Sequence, residues 1–588
     1  MSQSQASAVF ILSGLAGAVL GSLAATRTVL LSAAQYLAGL VSYPPDNPLA
    51  ISFQKTSNIV IDLAALLLRA GMDDMTLATV VSCLVGVLYT QAFAMVAYAI
   101  SGRAIPAVAT AVLGVATAAY LGGADYPITI FGFQTHGSIG LGLVLYVAGL
   151  IGVGWWRAAA LLLGLAPAVH PVMGTWLLGT AAVCWLILAA SKKAPMVFPP
   201  AIRGWFVTGV GLTALGLGGN AVLGTTAQVP EADPVYLKAF LEMWDYHRNI
   251  AIDTRILLIL AQVALVLSAL FAWLWAGRSE GLTPRRTMGW LLAVGGVMAL
   301  VVYLAYHGNR DAFPLLAVRA IPTRVLNLPE SLTLPLLAGI LLARRDLLSL
   351  TGAAVLLVTP VLVFQQIIPA GSVAWVKTLA TAFAAGCAIA ITLRPALAAP
   401  IRVPAPLGAL GRRIADSVAV VPPVVLHGVL TSAVVAGLLI KGPLSFSGGA
   451  ATMFRTIEDI DGLLLVCDGV DASQLSLRKG FVIDPLNLDF IPYVPAAAPA
   501  AARILAEVYG VNYFDPPLPV RGQAGLVRGV SRQAWEARSQ EEWQRLGAKY
   551  GFGSVIAENS WTIKLPKIMV FRSSSEFAIY RLGSTERR

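Results

Sequence analysis

The solvent for which this chain is written changes at about residue 442. Before that point, almost every stretch of about 20 residues is apolar enough to cross a bilayer. After it, roughly 145 residues read as an ordinary water-soluble α/β domain. Hydrophobic residues make up 57% of the 588-residue chain and charged residues only 12%, so lipid is the solvent for most of it. The expected fold class is a polytopic α-helical membrane protein of about 13 transmembrane helices, residues 1–442, followed by a soluble α/β domain, residues 443–588.

The formal charge of +11 does not point to nucleic acid. The basic residues are scattered through short interhelical loops, which is the ordinary topology signal of a multi-span protein. Cys83, Cys184, Cys387 and Cys467 show no CxxC or Cys/His metal spacing and form no disulfide framework. Residues 8–26 are apolar without a basic stretch before them, as in a membrane anchor rather than a cleaved signal peptide.

Periodicity and hydropathy place spans at 8–26, 77–101, 104–122, 139–156, 158–171, 172–191, 203–224, 256–277, 288–307, 328–343, 347–366, 373–393 and 418–440. The segment 158–171 is short and ends at His170-Pro171, where a break or tilt is expected. Thirteen crossings put the termini on opposite sides. Loops on the N-terminal side carry a strong excess of basic residues, among them Arg103, Arg157, Arg278, Arg285, Arg286, Arg344 and Arg345. The excess puts the N-terminus in the cytoplasm and the C-terminal domain outside.

The outer segments collect the unusual residues. The first, 27–76, is too polar to span and too apolar to be disordered, and its 59–69 stretch reads as a helix lying in the interface. The prolines of Tyr43-Pro44-Pro45-Asp46-Asn47-Pro48 fix a turn that presents Asp46. His136, His170, His247 and His307 come from four separate outer positions, whereas His427 lies in mid-span. Arg248, Arg310, Asp311, Arg319 and Arg324 accompany them. Each residue alone reads as part of a solvated loop. Together they suggest an outward cavity with titratable groups and guanidinium donors, suited to a phosphate or pyrophosphate. No HExxH, Walker loop, dinucleotide-binding glycine fingerprint or GxSxG elbow supports a metalloprotease, an ATP-driven pump or an α/β hydrolase. The DxD of Asp459-Ile460-Asp461 runs straight into a strand-like segment.

Beyond residue 443, short strands are expected at 463–467, 480–483, 554–557, 568–571 and 577–582. Helices are expected at 500–509 and 541–550, each ending at a glycine, Gly510 and Gly551.

This arrangement resembles the GT-C superfamily of membrane glycosyltransferases. The likeness lies in the many spans, the long first outer loop with its acidic residue, and an outer C-terminal domain closing on Phe577-Ala578-Ile579-Tyr580-Arg581-Leu582. The run Glu542-Trp543-Gln544-Arg545-Leu546 through Tyr550-Gly551, then Ser554-Val555-Ile556-Ala557, is similar to the closing αβ unit of such proteins. Tyr43-Pro44-Pro45-Asp46-Asn47-Pro48, Thr135-His136-Gly137 and His170-Pro171-Val172-Met173-Gly174-Thr175-Trp176 look like a bacterial multipass family of unassigned function. The resemblance implies transfer of a sugar from a polyprenyl-phosphate donor to an envelope glycan or lipid at the outer face of the bacterial inner membrane. Asp46 then matches the first-loop carboxylate that takes the acceptor's proton, with His136 and His170 as sugar contacts or alternative bases. His247, Arg248, His307, Arg310, Asp311, Arg319 and Arg324 form the donor-binding set. Membrane lipids, the donor and the acceptor are the partners. No resident cofactor is implied, and a divalent cation stays open. Many members carry two adjacent acids in the first loop; here the adjacent pair is Asp73-Asp74, at the loop's far end. Two other classes fit the same basic cavity: a transporter or flippase for a lipid-linked or anionic solute, and a non-catalytic envelope assembly subunit.

Overall fold

The computed structural model describes residues 3–23, 30–56, 58–117, 136–190, 200–223, 232–245, 248, 252–393, 462–468, 474, 478–570 and 577–582. The chain divides into two compact units. The first comprises 1–26, 78–218 and 251–442, and the second 27–77, 219–250 and 443–588.

The first unit is helical. Among the described residues, eight helical segments are long and apolar enough to cross a membrane: Gln3–Leu23, Asp74–Ser101, Pro171–Ala190, Thr254–Ala276, Pro284–Gly308, Pro322–Leu342, Leu347–Phe364 and Ala370–Leu393. Three further apolar helices, Ala104–Thr117, Gly137–Val153 and Trp156–Val169, are shorter. The protein is therefore a helical membrane protein. The break expected at His170-Pro171 is present: one helix ends at Val169, His170 is extended, and Pro171 opens the next. The expected span 418–440, with His427, lies outside the described residues.

Small residues let these helices approach where lipid supplies no hydrophobic drive between them. A Cβ on Gly17 would sit 2.4 Å from the Gly86 carbonyl oxygen, and one on Gly86 would sit 2.2 Å from that of Gly17. One turn away, Ser82 Oγ donates to Gly21 O at 2.9 Å, satisfying a hydroxyl that lipid cannot.

Glycine contacts also fix the two ends of this bundle. Gly152 meets both Ala99 and Met288, Gly149 meets Met95, and Gly142 meets Tyr89. The helix His136–Val153 thus runs alongside Asp74–Ser101 in the same direction and opposite to Pro284–Gly308. One end gathers Arg103, which donates to Arg344 O, and Arg286, which donates to Leu274 O. The other end gathers His136, His170 and the end of the helix at His307.

The second unit is built around a four-stranded sheet in the order β1-β2-β4-β3: β1 Leu463–Val466, β2 Phe552–Glu558, β3 Lys567–Val570 and β4 Phe577–Arg581. β1 pairs with β2 in parallel, and the other pairings are antiparallel. Phe481 adds a parallel bridge to Leu464. The helix Gln540–Tyr550 opens with a capping box at Ser539 and Glu542, and Gly551 closes it at φ 71°. This unit is wider than residues 443–588. Leu49, Phe240 and Trp244 share one buried core with the sheet, so three separate stretches of chain contribute.

Substituting Gly17 with valine should lower the detergent melting temperature, because overpacking against a neighbouring backbone costs about 1–3 kcal/mol or more. Gly179→Val, where nothing lies within 4 Å, is the matched control. Equal melting of the two variants would contradict the close crossing.

Candidate functional site

The turn at Asp46 is fixed by its neighbour. Asn47 is 6% exposed, and its amide N–H donates to Pro44 O at 3.0 Å. Its Oδ1 accepts from Leu49 N at 2.8 Å and Ala50 N at 3.3 Å, which caps the helix Pro48–Lys55. Its Nδ2 donates to Phe481 O at 3.2 Å and Val482 O at 3.0 Å. Both ends of one buried carboxamide are therefore engaged, and the preceding residue is turned outward. Asp46 is exposed, and among the described residues its carboxylate takes no hydrogen bond. It lies near enough to Tyr550 to act on that phenol electrostatically.

Two other acids of this segment, Asp73 and Asp74, are committed. Asp73 Oδ1 accepts from Met75 N at 3.0 Å and Thr76 N at 2.9 Å, at the start of the helix Asp74–Ser101. Slight burial opposes ionisation there, but the bonds from Thr76 and Met75 outweigh it and hold the carboxyl below its usual range. Asp74 is 3% exposed and accepts from Arg478 Nε at 2.5 Å. The adjacent pair is thus a cap and an ion pair, whereas Asp46 is exposed.

Arg248 belongs to the second unit and is wholly buried there. Its Nη1 donates to Asp245 Oδ2 at 2.7 Å and to Asp489 Oδ1 at 3.1 Å, and the guanidinium lies 5.2 Å from the Tyr493 ring centre. Burial pulls this guanidinium down, yet Asp489, Tyr493 and Asp245 together hold it above its ordinary value. Expected among the phosphate ligands, Arg248 instead fastens the 219–250 segment to the later chain, with no exposed surface to offer a ligand. His247 lies outside the described residues.

In the first unit, His170 is 9% exposed. Its Nδ1 accepts from Met173 N at 3.1 Å, which caps the helix begun by Pro171 and fixes that nitrogen as an acceptor. The ring lies directly on Gly140, where a Cβ would stand 2.7 Å from Cγ. Helix breaking and close packing account for this histidine. The His136 backbone opens its helix.

His307 is half-buried, with its ring 4.5 Å from that of Tyr303 and 5.8 Å from that of Tyr306. The chain then makes the short turns Arg310–Ala312, Leu315–Arg319 and Pro322–Leu326. Between Arg319 and Arg324, wholly buried Ile321 takes φ 50°. A β-branched residue adopts that conformation at a cost of about 1–3 kcal/mol, so the surroundings must impose it. Arg310, Arg319 and Arg324 are half-buried and Asp311 is exposed. The fold thus brings His307 and three arginines into one compact stretch at the histidine end of the bundle.

Sequence reasoning counted two ionisable groups as outer-loop charges and gave them no site role. Glu330, in the segment Pro322–Leu342, is 1% exposed, and Lys377 is 9% exposed within the field of Glu330 and Arg255. An acid at the start of an apolar run was the available signal, because such residues are costly unless partnered.

Comparison of the chain with protein-family models, curated proteins and solved structures returned no match.

Replacing Asn47 by alanine removes the cap and both donors, and should destabilise the second unit by about 2 kcal/mol or more. Asn47→Asp keeps the cap but turns a carboxylate towards two carbonyl oxygens. Limited proteolysis of the full-length protein should show both variants cleaved faster than wild type. Unchanged protection in Asn47→Asp would show that the two donations carry no weight.

Proposed function

We propose that the protein is a membrane glycosyltransferase that moves a sugar from a polyprenyl-phosphate donor to an envelope glycan or lipid. The observation that carries the reading is the stretch 307–324, which holds His307, Arg310, Arg319 and Arg324 at one end of an apolar helix bundle around a strained turn. Guanidinium groups at the boundary of an apolar bundle suit a ligand with a phosphate head and a lipid tail. The opposite end carries Arg103, Arg285, Arg286, Arg344 and Arg345, and so fits the cytoplasmic side. The histidine end then faces outward, in a bacterial inner membrane with the N-terminus inside. About 13 crossings and an α/β domain outside complete this reading.

In the reaction, an acceptor hydroxyl attacks the anomeric carbon as the bond from that carbon to the phosphate oxygen breaks. The electron pair leaves with the polyprenyl phosphate, and the arginines stabilise the charge gathered on it. The resemblance gives the hydroxyl proton to Asp46, whose carboxylate is outward and, among the described residues, accepts no hydrogen bond. On this reading His136 and His307 contact the donor, and Asp311 is the exposed acid next to Arg310. Buried Glu330 and Lys377 favour one second reading, a transporter for a lipid-linked anion, since ionisable groups inside a bundle often line such paths.

Protein in nanodiscs, supplied with radiolabelled polyprenyl-phosphate sugars and an envelope-lipid acceptor, separates the two. Arg310→Ala should weaken donor binding about tenfold or more, and Asp46→Asn should lower turnover about a hundredfold or more with binding retained. Full turnover in Asp46→Asn would remove that residue from the mechanism. Donor movement across proteoliposomes that is lost in Glu330→Gln, without sugar transfer, would replace the enzyme with the transporter.

A further inference from the structure

The second unit contains a cleft of about 510 Å³ lined by Glu507, Arg538, Glu542, Arg545, Leu546 and Lys549. A cleft of that size suits a small ligand or one or two residues of a longer one. Its charges do not cancel internally. Lys549 is paired with Glu507 at 2.6 Å, and Tyr550 O–H donates to the same carboxylate at 2.8 Å. Glu542 accepts from Ser539 N at 2.9 Å in the capping box. Arg538 donates through Nη2 to Glu507 O at 2.8 Å and lies 4.9 Å from the Trp543 ring centre. Among the described residues, its Nη1 is buried without an acceptor and the side chain forms no ion pair. Burial pulls this guanidinium down to about 10 against the opposing pull of Glu542. Arg545, exposed on the next turn, has no carboxylate partner among the described residues either. With Lys549 set against Glu507, two guanidinium groups face the single carboxylate of Glu542, which leaves the lining net cationic.

The cleft also lies next to the Asp46 turn. Tyr550 bonds to Glu507 and stands within the field of Asp46, and a Cβ on Gly551 would be 3.6 Å from Pro44 Cγ.

We propose that this cleft binds the acceptor, and that the acceptor is an acidic glycan whose sugar carboxylate pairs with Arg538 and Arg545 while its hydroxyls donate to Glu507 and Glu542. A carboxylate fits better than a phosphate. Two glutamates in the lining repel a dianion, whereas a singly charged, hydroxylated sugar uses both signs of the lining. Leu546 supplies apolar surface for the sugar's C–H face. The proposal rests on the glycosyltransferase reading for the word acceptor, but the binding itself is testable without any transfer.

The test is titration of the full-length protein in nanodiscs with oligogalacturonate, followed calorimetrically. Wild type should bind, and neutral malto-oligosaccharide of equal length should not. Arg545→Gln, on an exposed residue with no bond in the fold, and Arg538→Gln should each weaken binding about tenfold or more. Absence of binding by wild type, or equal affinity in both arginine variants, would overturn the proposal. Displacement by inorganic phosphate as strong as that by galacturonate would overturn the assignment to a sugar carboxylate. Uronate binding that maps to Arg545 in a protein that transfers no sugar would sustain the cleft and remove the enzyme reading alone.

Discussion

The carboxamide of Asn47 holds together segments of chain that are 434 and 435 residues apart in sequence. Its oxygen completes a helix cap and its nitrogen donates to two carbonyls of the 481–482 stretch. That stretch is itself tied to the sheet, since Val482 N donates to Leu464 O at 2.9 Å and Leu464 N donates to Gly480 O at 2.8 Å. A continuous run of hydrogen bonds therefore leads from β1 through 480–482 to the Asp46 turn. Each bond contributes about 1 kcal/mol net, but a lost partner would leave a buried polar group unsatisfied, which costs more. The position of Asp46 is thus inherited from a sheet formed by the last part of the chain.

The same dependence governs how the second unit is assembled. Trp244 Nε1 donates to Tyr513 O at 2.7 Å, Ala524 N donates to Trp244 O at 2.6 Å, and Tyr513 O–H donates to Tyr236 O at 2.9 Å. The buried pair of Arg248 with Asp489 adds a charge that would be costly to leave alone. Neither the first-loop segment nor the 219–250 segment can bury Leu49, Phe240 and Trp244 by itself. Both must wait for residues beyond 443, so this unit is assembled from non-local contacts late in synthesis. Its stability and the placement of its acid are one property.

The apolar helices were legible because a long run without charge has few other fates. The helix ends at Gly510 and Gly551 were legible as well, since both glycines take the left-handed conformation that other residues resist, φ 70° and 71°. What escaped the sequence were partners. Arg248 was read as a ligand-binding group, but Asp489, which completes its cluster with Asp245, is 241 residues further on. The turn at Pro44–Pro48 was visible, yet nothing in its spacing told which of Asp46 and Asn47 faces inward. His170 attracted a chemical role because histidine titrates, while its position just before a proline is also that of a helix cap. The membership of 27–77 in the sheet-bearing unit had only an indirect signal: a loop too apolar to remain in water.

Committed and uncommitted charge offers a firmer guide to chemistry than residue type does. A carboxylate that accepts several bonds from the fold is ionised and held, but its lone pairs are occupied and it cannot approach a substrate proton without breaking them. Asp73 and Asp245 are of this kind. A carboxylate on a mobile loop keeps its lone pairs but loses orientation. Asp46 combines a fixed backbone with an unoccupied carboxylate, because the residue that fixes the turn is its neighbour and not itself. The same distinction separates Arg248, whose guanidinium is shared between two carboxylates, from Arg545, which has none. Groups held by the fold through someone else's bonds are the ones left able to act on a ligand.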